Sequence, residues 1–126
     1  MTYYAKERGI MQTALIAFDS KQLSTIIGKM LEDLGFNCLQ ASSFEEISEI
    51  LEQKSPAVLF LDWTLKGQNT ADFLSESHEK PILIFISKEK NPSEIQKALD
   101  LGVNEYIMKP FDNDILQSKL SLAGLL

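Results

Sequence analysis

The chain alternates short, almost wholly apolar runs with longer amphipathic ones. "TALIAF" at 13–18 stays apolar until Asp19, "AVLFLD" at 57–62 until its own aspartate, and "ILIFIS" at 82–87 carries no charge. Runs of this length without polar alternation predict strands buried on both faces. "FNCLQ" at 36–40 and "EYIMK" at 105–109 read as two weaker strands.

Between the strands the period changes to that of a helix. Leu23, Ile26, Ile27, Met30, Leu31 and Leu34 fall at i, i+3, i+4, i+7, i+8 and i+11, a continuous apolar stripe with Gly35 as the C-terminal cap. Ser43 and Glu46 have capping-box spacing and open a second helix with Phe44, Ile47, Ile50 and Leu51 inward. A third helix around 70–79 is weakly signalled, with only Ala71, Phe73 and Leu74 as its apolar face and Pro81 closing it. Asn91, Pro92 and Glu94 mark an N-cap, a first-turn proline and a capping glutamate, opening a helix through Ile95, Ala98 and Leu99 to Gly102. Residues from about 112 to 124 form a last amphipathic helix.

The order is a βα unit repeated five times, which implies right-handed crossovers and a parallel α/β sheet with helices on both faces. Residues 1–12 are polar and aperiodic and read as an N-terminal extension to a single domain at 13–126. A length of 126 residues with 44% apolar content suits one domain with one sizeable core.

Charge and cysteine usage narrow the function classes. Twelve Lys and Arg against eighteen Asp and Glu give a net charge of −6, which argues against direct binding to nucleic acid or to an anionic membrane. Cys38 is the single cysteine, so no internal disulfide forms. No apolar run approaches the roughly 20 residues of a membrane span, and no signal-peptide pattern is present, so the expected location is cytoplasmic. His78, in "SESHEK", reads as a solvated residue rather than a ligand.

Ligands in parallel sheets bind beyond the carboxyl ends of the strands, at the switch in strand order. Those ends carry Phe18 and Asp19, then Asp62, then Ser87, then Lys109 followed by Pro110. Two neighbouring carboxylates repel, and a hard cation such as Mg²⁺ relieves the repulsion through oxygen ligands. A cation beside Asp62 also screens an incoming phosphoryl group, letting a carboxylate oxygen attack phosphorus and form an acyl phosphate. Lys109 would then neutralise one phosphoryl oxygen, and Ser87 would donate a hydrogen bond to another. Each residue also has an ordinary reading. Asp19 alone is an N-cap, Ser87 a loop hydroxyl and Lys109 a solvated cation, whereas Asp62 after "AVLFL" is a poor place for an unassisted charge.

The stretches "ALIAFDS", "LEDLGF", "VLFLDW", "FIS" and "YIMKPF" carry a resemblance to the receiver domain of bacterial two-component response regulators, over nearly all of 13–126. The resemblance implies a flavodoxin-like (βα)5 doubly wound sheet of strand order 2-1-3-4-5 that acts as a signalling switch rather than an enzyme. By position, Asp62 is the acceptor of phosphate from a histidine kinase or phosphotransfer protein. Asp19, Asp62 and the backbone carbonyl of Thr64 are the Mg²⁺ ligands, and Ser87 and Lys109 bind the phosphoryl group. Lys109-Pro110 keeps a turn prone to the cis form. Tyr106 falls where the family has an aromatic that turns inward with Ser87 on activation. The output face is the fourth helix, fifth strand and last helix, which serves a downstream protein or effector domain and, as a further partner, a homodimer.

The chain departs from the family where two acids are usual after the first strand. Phe18 stands in place of the first, which weakens the expected Mg²⁺ site. Lys66 replaces a common proline and is a candidate for partial electrostatic compensation, while Thr70 replaces a common glycine. Two other readings stay open on the sequence. One is a pseudo-receiver that binds partners without phosphorylation, supported by Phe18 and opposed by the joint presence of Asp62, Ser87 and Lys109. The other is a small phosphohydrolase of the haloacid dehalogenase type, which needs a general acid two residues beyond its nucleophile, where this chain has Thr64.

Overall fold

The computed structural model describes residues 12–62, 81–88 and 91–126, the side chain of Glu94 excepted. The strands are β1 (Thr13–Ala17), β2 (Asn37–Ala41), β3 (Val58–Asp62), β4 (Ile82–Ser87) and β5 (Glu105–Met108). The described helices are α1 (Lys21–Asp33), α2 (Phe44–Lys54), α3 (Pro92–Asp100) and α4 (Asn113–Leu122). The helix expected around 70–79 lies outside the described residues, as do His78, Lys66, Thr70, Thr64 and most of the 1–12 extension, so α3 and α4 are the expected fourth and fifth helices.

All the strand pairs are parallel and the order is β2-β1-β3-β4-β5. Alternation along each strand builds two cores. Ala14, Ile16, Val58, Phe60, Ile84, Ile86 and Ile107 point to one face, where Ile27 and Leu31 of α1 and Leu116 and Leu120 of α4 cover them. Leu15, Ala17, Leu59, Leu61, Leu83 and Phe85 point to the other, under Phe44 and Ile47 of α2 and Ala98 of α3. Because both faces are covered, the central strands read as unbroken apolar runs rather than as alternating ones.

Helix ends follow from local chemistry. At the end of α1 the Gly35 N–H donates to the Glu32 carbonyl and the Phe36 N–H to the Leu31 carbonyl, both at 3.0 Å, a Schellman closure that requires the positive φ of 97° found at Gly35. This closure explains why β2 starts at Asn37 rather than at the expected Phe36: the Phe36 amide is already committed to the helix. At the start of α2 the Glu46 N–H donates to Ser43 Oγ at 3.2 Å, as the capping-box spacing predicts. The Glu46 carboxylate, however, turns to Ser42, accepting from its hydroxyl at 2.7 Å and its N–H at 3.3 Å. The Asn91 side chain caps α3 and that of Asp112 caps α4.

Two apolar positions of the expected helices face outward. Ile26 is 57% exposed, because the buried stripe of α1 is centred on Ser24, Ile27, Gly28 and Leu31. The small residues let the helix lie close to the sheet; a Cβ at Gly28 would sit 3.5 Å from Ile16 Cδ1. Leu99 is 41% exposed, since α3 settles on the sheet through Ala98 and leaves its neighbour on the flank.

β5 is shorter than β4, and its pairing begins at Ile84 with Glu105. The side chain of Asn104 extends the ladder: Leu83 N–H donates to Asn104 Oδ1 and Asn104 N–H to the Leu83 carbonyl, both at 2.9 Å.

Candidate functional site

Parallel strands bring their carboxyl ends to one edge, and β1 lies between β2 and β3 at the point where the winding reverses. Ala17 pairs with Leu61, so one step further Phe18 and Asp62 stand at the same level of adjacent chain segments. Asp62 in turn pairs with Ile86, one residue before Ser87, and Ser87 pairs with Met108, one residue before Lys109. Sheet register thus delivers Phe18, Asp62, Ser87 and Lys109 to one edge of the sheet, and Asp19 follows Phe18 in the chain.

Their environments differ. Asp62 is 5% exposed at the tip of a wholly buried strand, and Ser87 is equally buried. A carboxylate this deep requires a partner. Lys109 supplies one: its Nζ donates to Asp62 Oδ2 at 2.9 Å. The Lys109 backbone N–H donates to the Ser87 carbonyl at 2.9 Å, which fixes the start of the lysine stem, and the peptide bond to Pro110 is cis.

Phe18 lies just past β1, 2% exposed within the core cluster that holds Ile16 and Ile27. Its ring forms the floor beneath the lysine, with the Lys109 Nζ 5.6 Å from the ring centroid. This stacking was not legible in the sequence, where Phe18 stood out only as a missing acid. Asp19 is exposed, and it does not cap α1: the cap is Ser20, whose Oγ accepts from the Leu23 N–H at 3.1 Å. The ordinary reading of Asp19 as an N-cap is therefore removed.

The described donors by themselves fit a divalent cation poorly. Among the described residues no group of three or more His, Cys, Asp or Glu side chains is placed to hold a metal ion. Mg²⁺ requires near-octahedral oxygen coordination and reluctantly gives up water. Here one of two carboxylates already faces an ammonium, and an aromatic ring occupies the neighbouring position. Thr64, the remaining expected ligand, is outside the described residues.

Tyr106 is half-buried on β5, packed against the core on the α2 and α3 face. It also lines a groove of about 610 Å³ with Ile95, Leu99, Met108, Ile115 and Lys119. Lys119 Nζ closes one side through an ion pair with Glu105 Oε1 at 3.2 Å. The groove joins α3, β5 and α4, and Met108 and Ile115 are largely exposed in it.

Comparison with known proteins bears on this arrangement. The family model described as the response regulator receiver domain matches residues 14–121. The chemotaxis protein CheY1 of Helicobacter pylori strain 26695 is 35% identical over 115 residues, covering 86% of this chain and 93% of that protein. The phosphate regulon transcriptional regulatory protein PhoB of Pseudomonas aeruginosa is 27% identical over 115 residues, and the match spans 86% of this chain but only 50% of PhoB. Among solved structures, the chemotaxis response regulator CheY4 of Vibrio cholerae has a TM-score of 0.81 at 18% identity, covering 90% of this chain and 98% of that one, a likeness of fold. The strand order and the match over residues 14–121 agree, and the chain belongs to the response regulator receiver domain family of two-component systems.

Proposed function

We propose that residues 13–126 form a phosphorylatable receiver domain, with 1–12 as an extension, whose acceptor is Asp62. The observation that supports this reading best is the buried Asp62 carboxylate held by Lys109 at the switch point of the sheet. A carboxylate oxygen of Asp62 would attack the phosphorus of a phosphohistidine on a histidine kinase or phosphotransfer protein. The new O–P bond forms as the P–N bond breaks, and the imidazole leaves with the electron pair and takes up a proton. Lys109, already within hydrogen-bond reach of the acceptor, would follow the charge onto a phosphoryl oxygen, and the Ser87 hydroxyl would donate to another. Receiver domains generally bind Mg²⁺; in this chain Asp19, Asp62 and the Thr64 carbonyl would hold it, weakly because of Phe18.

The response would pass from Ser87 along β4 to Tyr106, which already packs against the core and lines the groove. Movement of that ring changes the shape of the surface between α3, β5 and α4, which is where a downstream protein, an effector domain or a second copy would dock. Partners are proteins rather than nucleic acid, given the acidic charge. No described helix is long and apolar enough to cross a membrane, and a cytoplasmic setting suits a kinase-driven switch.

The buried Phe18 favours one second reading, a pseudo-receiver that docks partners without phosphorylation. Intact-mass measurement after incubation with Mg²⁺ and a small acyl phosphate separates the two. The phosphorylatable reading expects one added phosphoryl group in the parent and none in Asp62→Asn. A folded parent that gains nothing, whatever the donor, would leave the pseudo-receiver.

A further inference from the structure

The Lys109 ammonium has two partners on opposite chemical principles. Asp62 Oδ2 holds it at 2.9 Å by charge and hydrogen bond, and the Phe18 ring holds it from 5.6 Å through the negative face of its π system. The ring is itself locked by burial among Ile16 and Ile27, so it offers the lysine a fixed seat rather than a surface that swings aside. A carboxylate at position 18 would do the reverse. It would add negative charge beside Asp62, draw the ammonium off that oxygen and make room for a second cation. As built, the charges of Asp62 and Lys109 cancel, where an acid in place of Phe18 would leave one net negative charge.

We propose that Lys109 is the resident cation at Asp62 Oδ2 and that Phe18 seats it there, so that a divalent ion competes with the ammonium for that oxygen. From the acceptor reading above, this takes only the location of the site. Two consequences separate it from a simple loss of one ligand. Removing the lysine should strengthen divalent binding without any added acid. Removing only the ring face should loosen the lysine and give part of the same gain.

Both are read by calorimetric titration of Mg²⁺ into the parent, Lys109→Met, Phe18→Leu and the double variant Lys109→Met with Asp62→Asn, each first shown to be folded by circular dichroism. Lys109→Met should bind Mg²⁺ at least about tenfold more tightly than the parent, because an ammonium no longer competes for Asp62 Oδ2. Phe18→Leu, which keeps the site apolar, should gain about two- to fivefold, the lower end of the range for a cation–π contact. Asp62→Asn should remove the gain. The proposal is overturned if Lys109→Met binds no better than the parent, or if its gain survives Asp62→Asn; no gain in Phe18→Leu overturns the part assigned to the ring. Phosphoryl uptake is scored separately by mass, so a chain that shows these Mg²⁺ effects and never accepts phosphate would sink the acceptor reading and leave this one standing.

Discussion

Lys109 Nζ and Asp62 Oδ2, 47 positions apart in sequence, meet at 2.9 Å across the carboxyl edge of the sheet. The pair is mostly shielded from solvent, with side-chain exposures of 19% and 8%. Breaking a fully buried pair costs about 3–5 kcal/mol, and the partial exposure of the ammonium lowers that range. Lys109→Met should therefore destabilise the domain by about 1–3 kcal/mol in urea unfolding at low salt, with Mg²⁺ restoring part of the loss. Unchanged stability would mean that the ion pair adds nothing to the fold.

Ser20 and Asp19 are neighbours with separable tasks. Ser20→Ala removes the cap of α1 and should cost about 1 kcal/mol, whereas Asp19→Ala, which removes an exposed carboxylate, should stay within about 0.5 kcal/mol of the parent. Thermal unfolding of the two variants side by side checks this, and an equal cost for both would return Asp19 to the role of a helix cap.

The hydrogen bonds from the Ser42 hydroxyl and N–H hold the Glu46 carboxyl below its usual range, with a smaller contribution from Ser43. A lowered folded-state value contributes stability that is present above the unfolded value, about 4.3, and is lost as pH falls through the folded one. Ser42→Ala should move the Glu46 titration upward in a carbon-detected NMR experiment. The stability it costs at neutral pH should shrink as acid protonates Glu46 in both proteins.

Burial, with a smaller contribution from the nearby Glu32 charge, pushes the Cys38 thiol up to about 11. Its Sγ also donates to the Gly28 carbonyl at 3.5 Å. The thiolate is the reactive form, so the folded protein should alkylate with iodoacetamide at pH 8 at least about tenfold more slowly than the urea-unfolded chain. The stability tied to this neutral thiol is complete below the unfolded value, about 8.5, and is lost as pH rises through the folded one. Equal alkylation rates in the two states would show that the strand and helix around Cys38 open freely.

The strands and the described helices were legible because apolar runs, stripes and caps are local signals. "ILIFIS" is β4 residue for residue, and Ser43, Asn91 and Gly35 stand at the helix ends their chemistry favours. The sequence also brought Asp62, Ser87 and Lys109 to one edge, since parallel topology dictates where strand ends go. It did not reveal what Phe18 does. A phenylalanine after a strand looks the same whether it fills core or supports a cation, and only the third dimension places Lys109 above it. Ile26 was misread for a related reason: hydrophobicity alone ranks it above Ser24 and Gly28, whereas close approach to the sheet favours the smaller residues. The Asn104 side chain, which acts as part of a strand, leaves no periodic trace at all.

That asparagine has a consequence for how the protein behaves at high concentration. An edge strand presents a row of unpaired amides and carbonyls to which another chain's strand can add, and short edges limit that hazard. By bonding Leu83 with both its backbone and its side chain, Asn104 lets four residues of β5 cover the six of β4 without leaving that N–H of the inner strand bare. On this side the length of backbone open to self-templated stacking stays short, and the Asn104 amide adds to what the charged Glu105–Lys119 pair contributes at the same edge.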